Sequence, residues 1–403
     1  MTAPIIPYAK QWVTKEDIHT VCEILASDFL TTGPVIERFE KKLCELTQAK
    51  HAIVCSNGTA ALHLACMALD IGNNDLGVTS PNSFLASANC IEYCSGQTDF
   101  IDIDEDTLCM SPESLEIYCR EQAVPRVVIP VDFAGLAADL PRIKALSQKF
   151  GFAIIEDAAH AIGSTYTVEN KPFACGSCTH SDMAIFSFHP AKTITTGEGG
   201  AILTNNDKIA HKLRTLRTHG MIRYQNQGQN RGQNQGQNRG QNQEKRCDDP
   251  WYYEMETLGH NYRITDFQCA LGLSQLDRLP QFTERRNQIV AQYNQAFQES
   301  PHVLLPPKAL SKEACAHLYP IQLIKGEEAR RSMYHALKDQ NIHCQIHYIP
   351  IYWQPYYANK YGYAKGKCPE AETYYSRTLS LPLYPAMTQR QVQTVIDAVL
   401  ANL

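Results

Sequence analysis

Lys192 closes the run Ser187-Phe188-His189-Pro190-Ala191-Lys192, just past an apolar stretch, residues 183–188, that reads as a strand. The glycine-rich turn Thr195-Thr196-Gly197-Glu198-Gly199-Gly200 and a second strand, residues 201–204, follow. A lysine fixed in a loop between strands can condense with an aldehyde cofactor. An isolated lysine beside a tight turn is ordinarily a surface residue, so its meaning depends on its company.

Four other segments supply that company. Ser56-Asn57-Gly58-Thr59 lies between a strand and a helix, where backbone N–H groups and the Thr59 hydroxyl can cradle a phosphate. Glu156-Asp157-Ala158-Ala159-His160 ends a strand, and Asp157 can hold a protonated ring nitrogen through a charge-assisted hydrogen bond. Asn82-Ser83-Phe84 also follows a strand and offers Phe84 for stacking on a ring. Gly259-His260-Asn261-Tyr262-Arg263 precedes a helix and carries polar groups that can reach a neighbouring site. Taken singly, each has a plainer reading: helix caps for the polar residues and core for Phe84.

The elements that must position these residues alternate along the chain. Strand patterns at residues 52–55, 100–103, 127–131 and 153–155 are separated by helical patterns at 60–69, 112–120 and 140–150. Such alternation predicts an α/β fold with a mostly parallel sheet and helices on both faces. Ligands then lie outside the carboxyl ends of the strands, where the motifs sit. Upstream, Thr14 can cap a helix with Ile18, Val21, Cys22 and Leu25 at helical spacing, and a second helix covers residues 36–47. Downstream, residues 264–279 are helical, 319–324 read as a strand, and 389–401 as a last helix. The pattern predicts a large domain over residues 1–255, then a connecting helix and a smaller C-terminal α+β domain over 256–403. Residues 225–243 are a tandem Gln/Asn/Gly/Arg repeat without an apolar residue, read as a disordered insertion.

Composition narrows the class. The chain has 403 residues, 44% hydrophobic and 20% charged; its net charge of −5 does not suggest a nucleic-acid surface, and with no run of about 18 apolar residues no membrane span is expected. The first residues lack the pattern of a signal peptide. Fifteen cysteines scattered through helices and strands suggest buried thiols in a reducing, cytoplasmic setting. Cys175-Gly176-Ser177-Cys178, with His180 nearby, is a single CxxC and too few ligands for a metal site, so no metal is expected.

In this order the motifs resemble the pyridoxal-phosphate sugar aminotransferases of the DegT/DnrJ/EryC1/StrS family, over nearly all of the chain outside the repeat. The resemblance implies the aspartate-aminotransferase type of fold (type I), with pyridoxal 5′-phosphate as cofactor. It implies that Lys192 carries the cofactor, Asp157 pairs with its ring nitrogen and His160 lies near its phenolic oxygen. Gly58, Thr59 and Ser187 would bind the phosphate and Phe84 would pack on the ring. Asn261 would complete the phosphate site of the other subunit in a homodimer. Dehydratases of the same group carry histidine where this chain has Lys192.

Further runs narrow the resemblance, among them Phe29-Leu30-Thr31-Thr32-Gly33, His317-Leu318-Tyr319-Pro320 and His347-Tyr348-Ile349-Pro350. They are similar to members that move the amino group of L-glutamate to C4 of a UDP-4-keto-6-deoxy-N-acetylhexosamine, releasing 2-oxoglutarate. That reaction serves pseudaminic acid synthesis and flagellin glycosylation. The narrower resemblance implies a nucleotide-sugar site containing Tyr8, Asp28, Phe29, Leu30, Thr31, His317, Leu318, Tyr319 and Pro320. The alternative is another nucleotide-linked keto sugar, of UDP-4-keto-pentose or perosamine type. The chain departs from the family in its repeat, which stands where members carry a short loop.

Overall fold

The computed structural model describes residues 4–222, 251–311 and 314–403. The repeat at 225–243 and the first three residues lie outside them. Seven strands form the main sheet: β1 His51–Cys55, β2 Leu76–Thr79, β3 Gln97–Phe100, β4 Val127–Ile129, β5 Ala153–Asp157, β6 Met183–Ser187 and β7 Gly200–Thr204. Their spatial order is β1-β7-β6-β5-β4-β2-β3. All neighbouring pairs are parallel except those made by β7, which runs antiparallel to both β1 and β6. The central strands are near-continuous apolar runs because helices cover both faces. Two separate hydrophobic clusters, one containing Val54, Val128 and Phe186 and the other Ile53, Ile129 and Ile185, fill the two sides.

Several helices begin as their sequences dictate. Helix Pro112–Glu121 starts with proline in its first turn and with Ser111 accepting the Ser114 N–H. Helix Leu140–Phe150 begins at Asp139 and stops at Gly151 in the left-handed region. Helix Asp266–Asp277, within the stretch expected to be helical, opens with a capping box between Thr265 and Gln268 and is followed at Arg278 by a second helix, Leu279–Phe297. The C-terminal region carries a second, antiparallel sheet of β8 Val303–Leu304, β9 Tyr319–Leu323 and β10 Thr378–Leu381. Helix Gln389–Leu400 ends the chain. Among the described residues no helix is long and apolar enough to cross a membrane.

Two expectations fail for identifiable reasons. The strand expected at 100–103 lies at Gln97–Phe100 instead. It is an edge strand, and its polar residues find partners: the Thr98 hydroxyl donates to Glu92 and the Tyr118 hydroxyl to Asp99. Helix Lys15–Leu25 forms, but its apolar residues Ile18 and Leu25 are exposed. Its buried residue is Asp17, which accepts from Ser274, Gln275 and Arg278. The helix is anchored by polar bonds rather than by the apolar stripe.

Candidate active site

The parallel strands end along one edge, and that edge carries the chemistry. β5 delivers Asp157, which is 4% exposed. β6 delivers Ser187, and the loop after it turns back through Lys192 to β7. The loop is tied down: Lys192 N–H donates to the His189 carbonyl at 2.8 Å, and the Thr196 N–H and Thr195 hydroxyl both reach the Phe188 carbonyl at 3.0 Å. Lys192 therefore leaves a braced turn, not a free one.

Helix Gly58–Ala68 begins beside it. The Asn57 side chain takes the Ala60 N–H at 2.8 Å, and the Asn57 carbonyl accepts the first intrahelical bond, from Ala61. Gly58 and Thr59 thus present N–H groups without intrahelical acceptors at the cavity wall. A side chain at Gly58 would have its Cβ 2.9 Å from the Ser187 Cβ, so only glycine lets this helix start approach Ser187. The result is a recess with backbone donors, a helix dipole and two hydroxyls, a combination that can bind an anion such as phosphate.

One cavity of about 960 Å³ gathers Tyr8, Gly58, Thr59, Phe84, Asp157, His160, Ser187, Lys192 and His317. Phe84 is 59% exposed, an apolar ring standing at the cavity wall rather than in the core. Burial pushes Lys192 down to about 8, with Asp157 acting in the opposite direction. Burial pushes Asp157 upward, opposed first by the Ser87 hydroxyl, then by the Ala159 N–H and the charge of Lys192. His160 and His317 are held well below their usual range, again chiefly by burial, and His347 is lowered to about 3. Three neutral imidazoles thus surround one amine. The His160 and His317 rings lie 4.5 Å apart, and His160 Nε2 is 3.3 Å from the Tyr348 hydroxyl.

The structure does not bring every expected residue here. Asp28, Phe29, Leu30 and Thr31 are exposed and lie outside the cavity lining; the Leu30 carbonyl instead accepts the Asp266 N–H, and Thr31 bridges Thr265. His317 reaches the cavity, but Leu318, Tyr319 and Pro320 turn into the core as β9 begins. The Tyr319 hydroxyl donates to Asn294, away from the site. Asn261 is exposed, and its neighbour Tyr262 lines this chain's cavity in its place. Cys175 and Cys178 are buried, but His180 pairs with Tyr166, so the CxxC and the histidine do not converge as ligands.

Residues to which the sequence reading gave no individual role complete the site. Ser87 bonds Asp157, His347 and Tyr348 form part of the wall, and His63 pairs with Tyr262 at 3.1 Å. The local signal for His347 and Tyr348 was their place in a matching run, while Ser87 carried none. The donor set fits an aromatic aldehyde phosphate. It has an amine of lowered basicity, a buried carboxylate, a helix start with hydroxyls, and a buried Nδ1 of His160 that has no protein partner.

Comparison with known proteins agrees. Residues 11–400 match the model of the DegT/DnrJ/EryC1/StrS aminotransferase family. The chain is 38% identical over 402 residues to the spore coat polysaccharide biosynthesis protein SpsC of Bacillus subtilis, covering 98% of this chain and 96% of that one. Helicobacter pylori PseC, an aminotransferase involved in the biosynthesis of pseudoaminic acid, superposes with a TM-score of 0.85 at 29% identity over 99% of both chains. Spr1654 of Streptococcus pneumoniae in its PLP form superposes with a TM-score of 0.84 at 26% identity, covering 99% of this chain and 100% of that one. The chain belongs to the DegT/DnrJ/EryC1/StrS aminotransferase family and is a sugar aminotransferase whose cofactor is pyridoxal 5′-phosphate.

Proposed function

We propose that this aminotransferase moves the amino group of L-glutamate to C4 of a UDP-4-keto-6-deoxy-N-acetylhexosamine. The product is UDP-4-amino-4,6-dideoxy-N-acetyl-β-L-altrosamine, an intermediate of pseudaminic acid. We place the reaction in the cytoplasm, in a homodimer with shared sites. The observation that carries the reading is the convergence of Lys192, Asp157 and the Gly58–Thr59 helix start on one cavity, together with likeness to PseC along its whole length.

When bound, pyridoxal phosphate supplies an electron-poor ring that accepts the charge left by a departing proton. In this reading the chain's residues do the rest. Lys192 would hold the cofactor aldehyde, and its amine, when free, would take and return a proton at the substrate carbon. Its lowered basicity suits both directions of that transfer near neutral pH. Asp157 keeps the ring nitrogen protonated. Gly58, Thr59 and Ser187 hold the phosphate, and Phe84 covers the ring. His160, kept neutral by burial, offers a hydrogen bond to the ring oxygen without adding charge. Tyr8 and His317, at the cavity wall, orient the sugar.

A second reading has its own support: identity to the spore coat polysaccharide protein is higher, 38%, than to PseC, 29%. It makes the acceptor another nucleotide-linked keto sugar, of UDP-4-keto-pentose or perosamine type. Incubation of the enzyme with pyridoxal phosphate, L-glutamate and a panel of nucleotide keto sugars, with mass analysis, separates the two. Amination of the 4-keto-6-deoxy-N-acetylhexosamine is expected. Turnover of only a pentose or perosamine precursor gives the second reading, and no turnover of any keto sugar sinks both.

A further inference from the structure

Two more carboxyl groups lie beside Asp157. Asp132, just past β4, is 0% exposed, and Glu156, within β5, is 1% exposed. An oxygen of each and the Cys175 sulfur fall within 4.8 Å of one another. Glu156 is already an acceptor twice: from the Gly176 N–H at 2.7 Å and from the Ser181 hydroxyl at 3.1 Å. Asp132 Oδ1 accepts the Ala138 N–H at 2.9 Å, but Oδ2 is buried and has no donor. Two adjacent buried anions, one with an unsolvated oxygen, are costly. A single proton on Asp132 Oδ2, donated to Glu156, removes one charge and satisfies the orphaned oxygen together. Glu156 has the donors, so it is the anion and Asp132 the acid.

The pair sits where the site is braced. The Asp132 N–H donates to the Asp157 carbonyl at 3.0 Å, and the Asp157 N–H to the Pro130 carbonyl at 2.8 Å. The Asp132–Ala138 bond closes a turn whose Ala134 carbonyl accepts the His317 N–H at 2.8 Å. Within the same turn the Phe133 ring lies 6.2 Å from the His160 ring. One turn thus sets Asp157 from one side and His317 from the other. The titratable groups bearing on the pair are Asp157, Cys109, Cys175, Cys178 and Tyr166, acids all.

We infer that Asp132 and Glu156 share one proton, with Asp132 the acid, and that this pair positions Asp157 and His317 for transamination. The inference rests on the reading of Asp157 as the partner of the ring nitrogen, so its test includes cofactor-free protein.

Three full-chain variants decide it. Asp132→Asn keeps a donor toward Glu156 and an acceptor for Ala138, so it should restore most of what Asp132→Ala loses. Asp132→Ala and Glu156→Gln should each lower kcat/KM by at least about tenfold and weaken cofactor binding, as expected when a buried charged group loses its hydrogen bond. In cofactor-free protein the sign is fixed by linkage. The folded chain keeps a proton that an unfolded carboxyl releases near its ordinary pKa of about 4, so this group costs stability as pH rises above that value. Asp132→Asn should therefore gain in Tm relative to the native chain progressively as pH rises above about 4. Asp132→Asn as damaged as Asp132→Ala overturns the shared proton, as does a Tm difference that is flat with pH. So does a stoichiometric divalent metal whose removal by chelator lowers the native Tm. If Asp157→Ala retains activity, the reading of the site fails, while the melting comparison still decides the proton.

Discussion

The Ser87 hydroxyl donates to Oδ2 of Asp157 at 2.6 Å, with both residues buried. Among the causes that hold Asp157 toward its charged state, this bond is the largest, ahead of the Ala159 N–H and Lys192. Ser87→Ala should therefore let Asp157 take a proton at higher pH and weaken its proposed hold on a protonated ring nitrogen. A hydrogen bond to a charged group is worth about 1.5–3 kcal/mol, so kcat/KM should fall roughly ten- to hundredfold. The acid limb of the pH profile should shift upward. A profile identical to that of the native enzyme would show that the bond is idle.

The amine of Lys192 gives a second, thermodynamic signature. Its folded pKa is lowered from 10.5 to about 8. Between those values the unfolded chain binds a proton that the folded chain has released, so stability rises with pH across that window. Cofactor-free Lys192→Met lacks this dependence. It should be more stable than the native protein below about pH 8, with the gap closing toward about pH 10.5. Melting curves of the two proteins across the window check the sign. The same variant should lose transamination and the borohydride-trapped adduct with the cofactor, and retention of either would remove Lys192 from its proposed role.

Gly200, first residue of β7, pairs with Cys55 and backs directly onto the helix start. A Cβ there would lie 2.6 Å from the Asn57 carbonyl carbon and oxygen and 2.8 Å from the Gly58 nitrogen. These are backbone atoms and cannot swing aside. Gly200→Ala should cost about 1–3 kcal/mol, as overpacking does, and should weaken cofactor binding if the displaced backbone holds the phosphate as proposed. Gly72→Ala is the control: nothing lies within 4 Å of its Cβ, and its Tm should stay near the native value. Equal effects in both variants would mean that the helix start yields without consequence.

How much of this was legible in the chain follows from how local each signal is. Lys192, Asp157 and the Gly58–Thr59 turn sit at strand ends that apolar runs announce, and strand ends of a parallel sheet converge on one edge. Ser87 bonds a residue 70 positions away, and Tyr348 meets His160 across 188, so no spacing could reveal either. The run from His317 to Pro320 shows the opposite limit. A short motif was read as one contributor, but its residues divide between cavity and core. The helix Lys15–Leu25 was correctly placed while its buried face was misjudged, since Asp17 is fixed by distant Ser274 and Arg278 rather than by its own periodicity. Helix Ala86–Tyr93, which carries Ser87, was not anticipated; its first residues lack a capping side chain.

Asn261 offers a test of assembly. It is exposed and tied through its backbone to Thr218, while Tyr262 beside it lines the cavity. Asn261 does not line its own chain's cavity, and its exposed side chain is free to serve the recess of a second copy. If each site takes Lys192 from one chain and Asn261 from the other, Lys192→Ala and Asn261→Ala complement each other. A mixed dimer then contains one site with both defects and one with neither. After unfolding and refolding an equal mixture, half of the dimers are mixed, so about a quarter of all sites should regain native activity. Activity equal to the mean of the two parents would place Asn261 within its own chain's site or outside any site. A strictly monomeric enzyme in light scattering would remove the shared site altogether.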